Sequence, residues 1–407
     1  MNASIEPRAR SRLRWAVCLL LLLALVPARA EKKYDPGASD TEIKVGNFVP
    51  YTGVFSEYGM TGRAEAAYFQ MINDQGGING RKITFVSLDS ESDPAKALPM
   101  AQQLVEKEPV LFLAGTWGAP WNLAIRDYMN GKKVPQLFVA DTNSAMNDPA
   151  HYPWTMGFQP SKRTEGEVYA KYILQSRPDA KIAILCGNLP TDQEWVEGIH
   201  AALGDKAATM IVKEIAFAYG APADLDPQIE ALKKSGADVF LNLGVGKYCV
   251  EGIRHAYDID WHPLEFIPNA SISISSFLDP AGLAKANGLV SNARSKSWAR
   301  TNWDDPDVSA FIGWWHQYLT GANPRDFNVV YGYEAAQTVV EVLKRCGDDL
   351  TRANVMKQAA SLDLTLGMLR PGIKVTTSAT DYRPIKQLFL IRFDGEHWVP
   401  FGGVIGD

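Results

Sequence analysis

The residues most able to make or break bonds are scattered in this chain. Its six histidines stand at 151, 200, 255, 262, 316 and 397, with neither H-x-H nor H-E-x-x-H spacing to bring two imidazoles onto one metal. No G-x-S-x-G elbow presents a serine nucleophile and no P-loop cradles a phosphate. Gly244-Val245-Gly246 lacks the rest of a dinucleotide fingerprint and reads as a loop. The cysteines, at 18, 186, 249 and 346, form no C-x-x-C, so neither a zinc knuckle nor a redox motif is expected. Neither catalysis nor a cofactor is supported. The remaining polar chemistry is that of recognition. Hydroxyls, amides, glycines and aromatic rings, with little charge, gather in 50–60, 115–121, 141–147, 187–194, 244–248 and 269–276. Such groups stack on and hydrogen-bond a small molecule without transforming it.

Those loops are positioned by strands alternating with helices. Strands are predicted at 43–49, 82–88, 110–114 and 135–140. Between them fall helical patterns at 62–75, 93–108 and 120–130. The first puts Ala64, Ala67, Tyr68, Met71 and Ile72 on one face and stops at Gly76-Gly77. Asp93-Pro94 opens the second, as a cap followed by proline in the first turn. After 152–162 the rhythm restarts, with helices at 166–175, 193–203 and 225–234 and strands at 182–186, 212–217 and 239–243. This predicts an α/β fold of two doubly wound parallel sheets in series. In such sheets ligands bind beyond the carboxyl ends of the strands, where the loops above are expected to lie. Trp314 and Trp315, in helical register with Phe311 and Tyr318, read as core.

The compartment follows from the amino terminus. Arg8, Arg10, Arg12 and Arg14 precede an apolar run from Trp15 to Val26, and Ala28-Arg29-Ala30 supplies the small residues that a signal peptidase reads. Residues 1–30 are therefore expected to be a cleaved signal peptide. The run is shorter than the roughly 20 residues of a spanning helix. The whole chain has 41 Lys+Arg and 46 Asp+Glu; its first thirty residues hold five Arg and one Glu, leaving 36 against 45, a net of −9. A mildly acidic chain without basic runs suits neither nucleic acid nor anionic lipid. The processed length suits two domains. Three cysteines remain after processing, an odd number, and buried thiols are favoured over a Cys186–Cys249 bridge.

Several stretches carry a family likeness. Ile43-Lys44-Val45-Gly46 is followed by Thr52-Gly53 and Tyr58-Gly59. Residues 73–81 read N-D-Q-G-G-I-N-G-R, residues 331–336 read Y-G-Y-E-A-A, and the tail runs from Asp381 to Gly402. In this order the chain resembles the periplasmic branched-chain amino acid-binding family, the type I bilobal receptors of ABC transporters. The resemblance implies two lobes joined by three hinge crossovers, with an N-lobe at 41–158 and 293–381 and a C-lobe at 159–292 and 382–407. It also implies a free-standing, monomeric periplasmic binder that hands a small-molecule ligand to an inner-membrane ABC permease. A sensory receptor on the same fold would require a membrane helix or signalling domain after Asp407, and none is expected.

The same resemblance distributes the ligand positions. The aromatic wall falls on Tyr58. The loop that holds a ligand carboxylate falls on Gly115, Thr116 and Trp117, and a second such loop on Thr142, Asn143 and Ser144. The other side falls on Asp192 or Gln193, on Asn242 and Gly244, and on Asn269. Amino-acid binders carry an acid in the last of these loops, whereas this chain reads Pro268-Asn269-Ala270-Ser271. An α-ammonium buried without a counter-charge would cost several kcal/mol. With Trp117, Trp121, Tyr58 and Trp195 near the cleft loops, the expected ligand is an aromatic or apolar carboxylate. The alternative is a branched-chain or other amino acid or amide, with Asp192 as the substitute acid.

Overall fold

The computed structural model describes residues 32–220, 223–299, 302–323 and 325–406. The expected signal peptide, 1–30, lies outside the described residues. Two main sheets carry the fold. The first orders its strands Lys82–Asp89, Glu42–Val49, Phe112–Ala114, Gln136–Val139 and Thr155–Gly157, all parallel. The second orders Ile211–Phe217, Ile182–Gly187, Val239–Leu243, Leu264–Phe266 and Val290–Ala293 in parallel, then adds Gln387–Phe393 and Trp398–Gly406 antiparallel.

That antiparallel edge departs from the expected all-parallel sheet, and the cause is local. Only 394–397 separate the last two strands, too few for a crossover and enough for a hairpin. The Asp394 carboxylate accepts from the amides of Glu396 and His397, 2.9 and 2.7 Å away, and so shapes the turn.

The period-two pattern of the strands feeds cores on both faces of each sheet. Ile43 and Val45 enter one apolar cluster while Phe48 enters the opposite one; Val239, Leu241 and Leu243 similarly oppose Phe240. The segment expected as one helix after Asp93 forms short 3₁₀, α and π pieces over 94–107, and Asp93 caps it by accepting from the Ala95 amide at 2.9 Å. The helices Pro306–Tyr318 and Phe327–Cys346 return to the first sheet and pack on Met60–Asp74. The chain thus passes between the two sheet systems three times, after Thr155–Gly157, after Val290–Ala293 and before Gln387–Phe393.

Cys186, Cys249 and Cys346 are free and buried. The Cys186–Cys249 bridge does not form, because the two side chains enter different apolar clusters. No helix among the described residues is long and apolar enough to cross a membrane.

Two helices of the second sheet meet backbone to backbone. A Cβ on Gly166 would stand 2.3 Å from the Trp195 carbonyl oxygen, and one on Gly198 2.1 Å from that of Arg163. Only glycine permits this approach between Lys162–Ser176 and Gln193–Leu203. Gly198→Val should force the helices apart and destabilise the protein by about 1–3 kcal/mol, read as a lower urea midpoint. An unchanged midpoint would show that the contact carries no weight.

Candidate ligand-binding cleft

Parallel strands deliver all their carboxyl ends to one side, and in both sheets those ends face the same space. The loops that follow every parallel strand contribute to one cavity of about 540 Å³, within the roughly 300–1,000 Å³ usual for small-ligand sites.

One wall is aromatic. Phe55 and Tyr58, after Glu42–Val49, pack against Trp117 with ring centroids 5.2 and 4.7 Å away, and Trp121 adds a further ring 5.3 Å from Trp117. Tyr219 reaches across from the second sheet and meets Phe55 edge-on at 6.2 Å. The Tyr58 hydroxyl donates to the Ala270 carbonyl at 3.0 Å, and the Ser144 hydroxyl donates to Glu194. These contacts tie the rims of the two sheets together over the cavity.

The floor is charged. Lys162 donates to Asp192 at 2.8 Å, with both side chains buried. Burial works to lower the Lys162 pKa, but the charges of Asp192 and Asp141 outweigh it and hold the ammonium above its ordinary value. Asp141 accepts the amides of Thr142 and Asn143 through Oδ1 at 2.6 and 3.1 Å, while its buried Oδ2 has no hydrogen-bond partner. Burial raises this carboxyl to about 6, against the opposing pull of Lys162 and the two amides. Arg294, 1% exposed, donates from Nε to Glu334 and from Nη1 to Gln159, each at 3.1 Å.

Behind the floor lies Glu165. Its oxygens accept from the Asn269 amide at 2.7 Å, the Trp195 indole at 2.7 Å, the Tyr169 hydroxyl at 2.8 Å and the Asn292 amide at 2.5 Å. Burial raises the Glu165 pKa against the effect of these donors.

Of the residues expected to meet a ligand, Tyr58, Trp117, Thr142, Asp192 and Asn269 line the cavity. The others point elsewhere, each for a local reason. The Thr116 hydroxyl donates to Asn122 Oδ1, inside the first helical turn that follows it. Gly115, at φ +64°, lies tight against the Glu65 carboxyl. Asn143 caps 144–147 by accepting from the Ala145 amide, and Ser144 is held by Glu194. Gln193 donates to the Gly187 carbonyl at 2.8 Å, and Asn242 to the Cys249 carbonyl and to Glu265 at 3.1 and 2.9 Å. Gly244 sits under the backbone of Tyr248 and Cys249, leaving Val245 at the wall.

The residues that sequence reasoning passed over are Asp141 as an acid, Gln159, Lys162, Tyr219, Tyr248 and Arg294. Tyr219 follows the strand Ile211–Phe217, so the rule that points beyond strand ends would have found it. Gln159, Lys162 and Arg294 follow Thr155–Gly157 and Val290–Ala293, whose sequences T-M-G and V-S-N-A lack the apolar run that marks a buried strand.

Asp141 gives the fold a pH signature. A carboxyl raised in the folded state contributes its stability at low pH and loses it as pH rises from the ordinary value of 3.8 to about 6. Asp141→Asn keeps the acceptor for the two amides and cannot ionise. Its stability should match wild type in acid and exceed it above neutral pH by about 3 kcal/mol, the linkage value of a shift of some two pH units. Denaturant melts across pH test this, and a constant difference at every pH would rule it out.

Comparison with known proteins agrees with this geometry. The profile of the periplasmic binding protein family matches residues 42–397. The Leu/Ile/Val-binding protein homolog 1 of Brucella suis is 24% identical over 342 residues, spanning 82% of this chain and 87% of its own. A branched chain amino acid ABC transporter protein from Thermus thermophilus, solved with bound valine, superposes with a TM-score of 0.81 at 15% identity, covering 91% of this chain and 98% of its own. A solute-binding protein of an ABC transporter from R. palustris, solved with benzoate, gives 0.75 at 19% identity, covering 90% and 98%. With its family profile matched along nearly the whole folded chain and two sheets facing one cleft, this chain belongs to the periplasmic binding protein family.

Proposed function

We propose that this protein is the periplasmic solute-binding component of an ABC importer and that it captures a small aromatic or apolar carboxylate. The observation that carries the reading is the wall of Phe55, Tyr58, Trp117, Trp121 and Tyr219 around one cavity. Such rings offer flat apolar faces to a ligand ring or alkyl chain. The lobes are taken as 41–158 with 293–381 and 159–292 with 382–407. Their hinge lies at the three passages between the sheets, and their closure is favoured by contacts that only the closed state makes. The signal peptide at 1–30 would deliver a monomer to the periplasm, where an inner-membrane permease takes the ligand. A solute carrier of this kind returns its ligand unchanged.

The charged floor weighs on ligand class. Asp192, the candidate to replace the missing acid of the amino-acid binders, is already compensated by Lys162 at 2.8 Å. That supports an acid without an ammonium. One observation favours a second reading: Asp141 Oδ2 and Asp192 Oδ2 are both buried without a hydrogen-bond partner, so an amino acid could place its ammonium between them.

A thermal-shift screen of the mature protein against benzoate, phenylacetate, leucine, valine and leucinamide separates the two readings. Benzoate or phenylacetate should raise the melting temperature. A concentration a hundredfold above Kd should add about 2.7 kcal/mol of stability, and Trp117→Ala should remove most of the shift. A response to leucine and valine alone would overturn the aromatic reading in favour of amino acids. Silence from every compound would overturn both.

A further inference from the structure

Thr116, where the carboxylate-holding hydroxyl was expected, spends that hydroxyl on Asn122. A carboxylate in this cleft then calls on other donors, and two lining residues have a buried donor without a partner, the Trp121 indole and the Arg294 guanidinium, of which only the second is charged. Arg294 lines the cavity, is 1% exposed, and has Nη2 buried with no hydrogen-bond partner. Its other nitrogens are engaged, Nε with Glu334 Oε2 and Nη1 with Gln159 Oε1. The counter-charge is itself occupied, because Glu334 Oε1 accepts from the Ser295 hydroxyl at 2.6 Å. Glu334 thus holds the guanidinium by one oxygen on one nitrogen, and with Nη1 on Gln159 only Nη2 is left without an acceptor. A buried N–H without an acceptor is costly, and the acceptor that best suits a guanidinium is a carboxylate.

The position of Arg294 adds a second observation. It follows directly on Val290–Ala293, at the second passage between the sheets, and its carbonyl accepts from the Arg370 amide at 3.0 Å. Gln159 stands on the first passage, between Thr155–Gly157 and Lys162–Ser176. Glu334 lies on Phe327–Cys346, which packs against the helix beside the first sheet. The guanidinium therefore links two of the three passages to the first lobe's helical layer.

We propose that Arg294 is the anion anchor of the cleft, with Nη2 donating to the ligand carboxylate at the hinge itself. This rests on the reading of the cleft as a site for an organic acid. Because the same side chain holds Gln159 and Glu334, an anion bound there stiffens the crossing segments, and binding of the acid group is coupled to lobe closure. The site then selects a carboxylate over the matching amide through charge, while the aromatic wall selects for shape without regard to charge.

Calorimetric titration with benzoate and benzamide, which share a ring and differ in the acid group, tests the assignment. Wild type should bind benzoate roughly 10- to 100-fold more tightly than benzamide, the range expected for a charge-assisted hydrogen bond. Arg294→Lys keeps the charge beside Glu334 but loses the fork, and should weaken benzoate by about tenfold while leaving benzamide within about twofold. The double variant Arg294→Gln with Glu334→Gln removes both charges, so no orphan carboxylate threatens folding, and should abolish the preference for benzoate. If benzoate binds wild type and both variants alike, Arg294 is not the anchor and the acid reading of the cleft survives. If wild type binds neither benzoate nor phenylacetate, the acid reading fails and the assignment with it.

Discussion

Glu165 is a fully buried carboxylate that gathers four separate parts of the chain. Its own helix, Lys162–Ser176, brings Tyr169; the neighbouring helix brings the Trp195 indole; the loop after Leu264–Phe266 brings the Asn269 amide; and Val290–Ala293 brings Asn292. A charge in this setting is tolerable only when its lone pairs are filled. Lys162 stands one helical turn before Glu165, Asn269 lines the cavity directly, and Arg294 comes two residues after Asn292. The polar floor of the cleft therefore inherits its geometry from one carboxylate that never reaches the cavity.

Around that fixed floor, the two rims are held together by weaker and reversible contacts. An edge-on pair between Phe55 and Tyr219, one hydroxyl on the Ala270 carbonyl and the Ser144–Glu194 pair are small interactions. Individually each is worth about 1 kcal/mol. Capture by hinge closure needs that balance: a rigid floor to define the ligand's polar end, and rims whose contacts are cheap to break when the solute must leave.

The fold was largely legible in the sequence because its signals are local. Strands such as Val239–Leu243 and helices such as Gln193–Leu203 announce themselves by period, glycine stops and caps. The cleft was legible as a set of loops but not as a set of side chains. Thr116 and Asn122 are six residues apart, and that local pair takes up the buried hydroxyl. Asn143 and Gln193 are consumed by their own turns in the same way. Conversely, Lys162 and Arg294 read as ordinary charges in sequence. Only the meeting of distant segments makes them a buried floor. Polar side chains have several uses within reach of their own backbone, and choosing among them takes the tertiary structure.

The three thiols follow a different logic. Cys186, Cys249 and Cys346 are buried in separate places, and burial raises the pKa of each above that of an exposed thiol. In the native state an oxidising compartment finds almost no thiolate to attack. Unfolding erases that protection for all three at once. Denatured chains can then cross-link within or between molecules into pairings that the native packing forbids. The protein's durability outside the cytoplasm is thus governed by how rarely it opens, and heat inactivation under oxidant becomes a one-way process set by an unfolding rate.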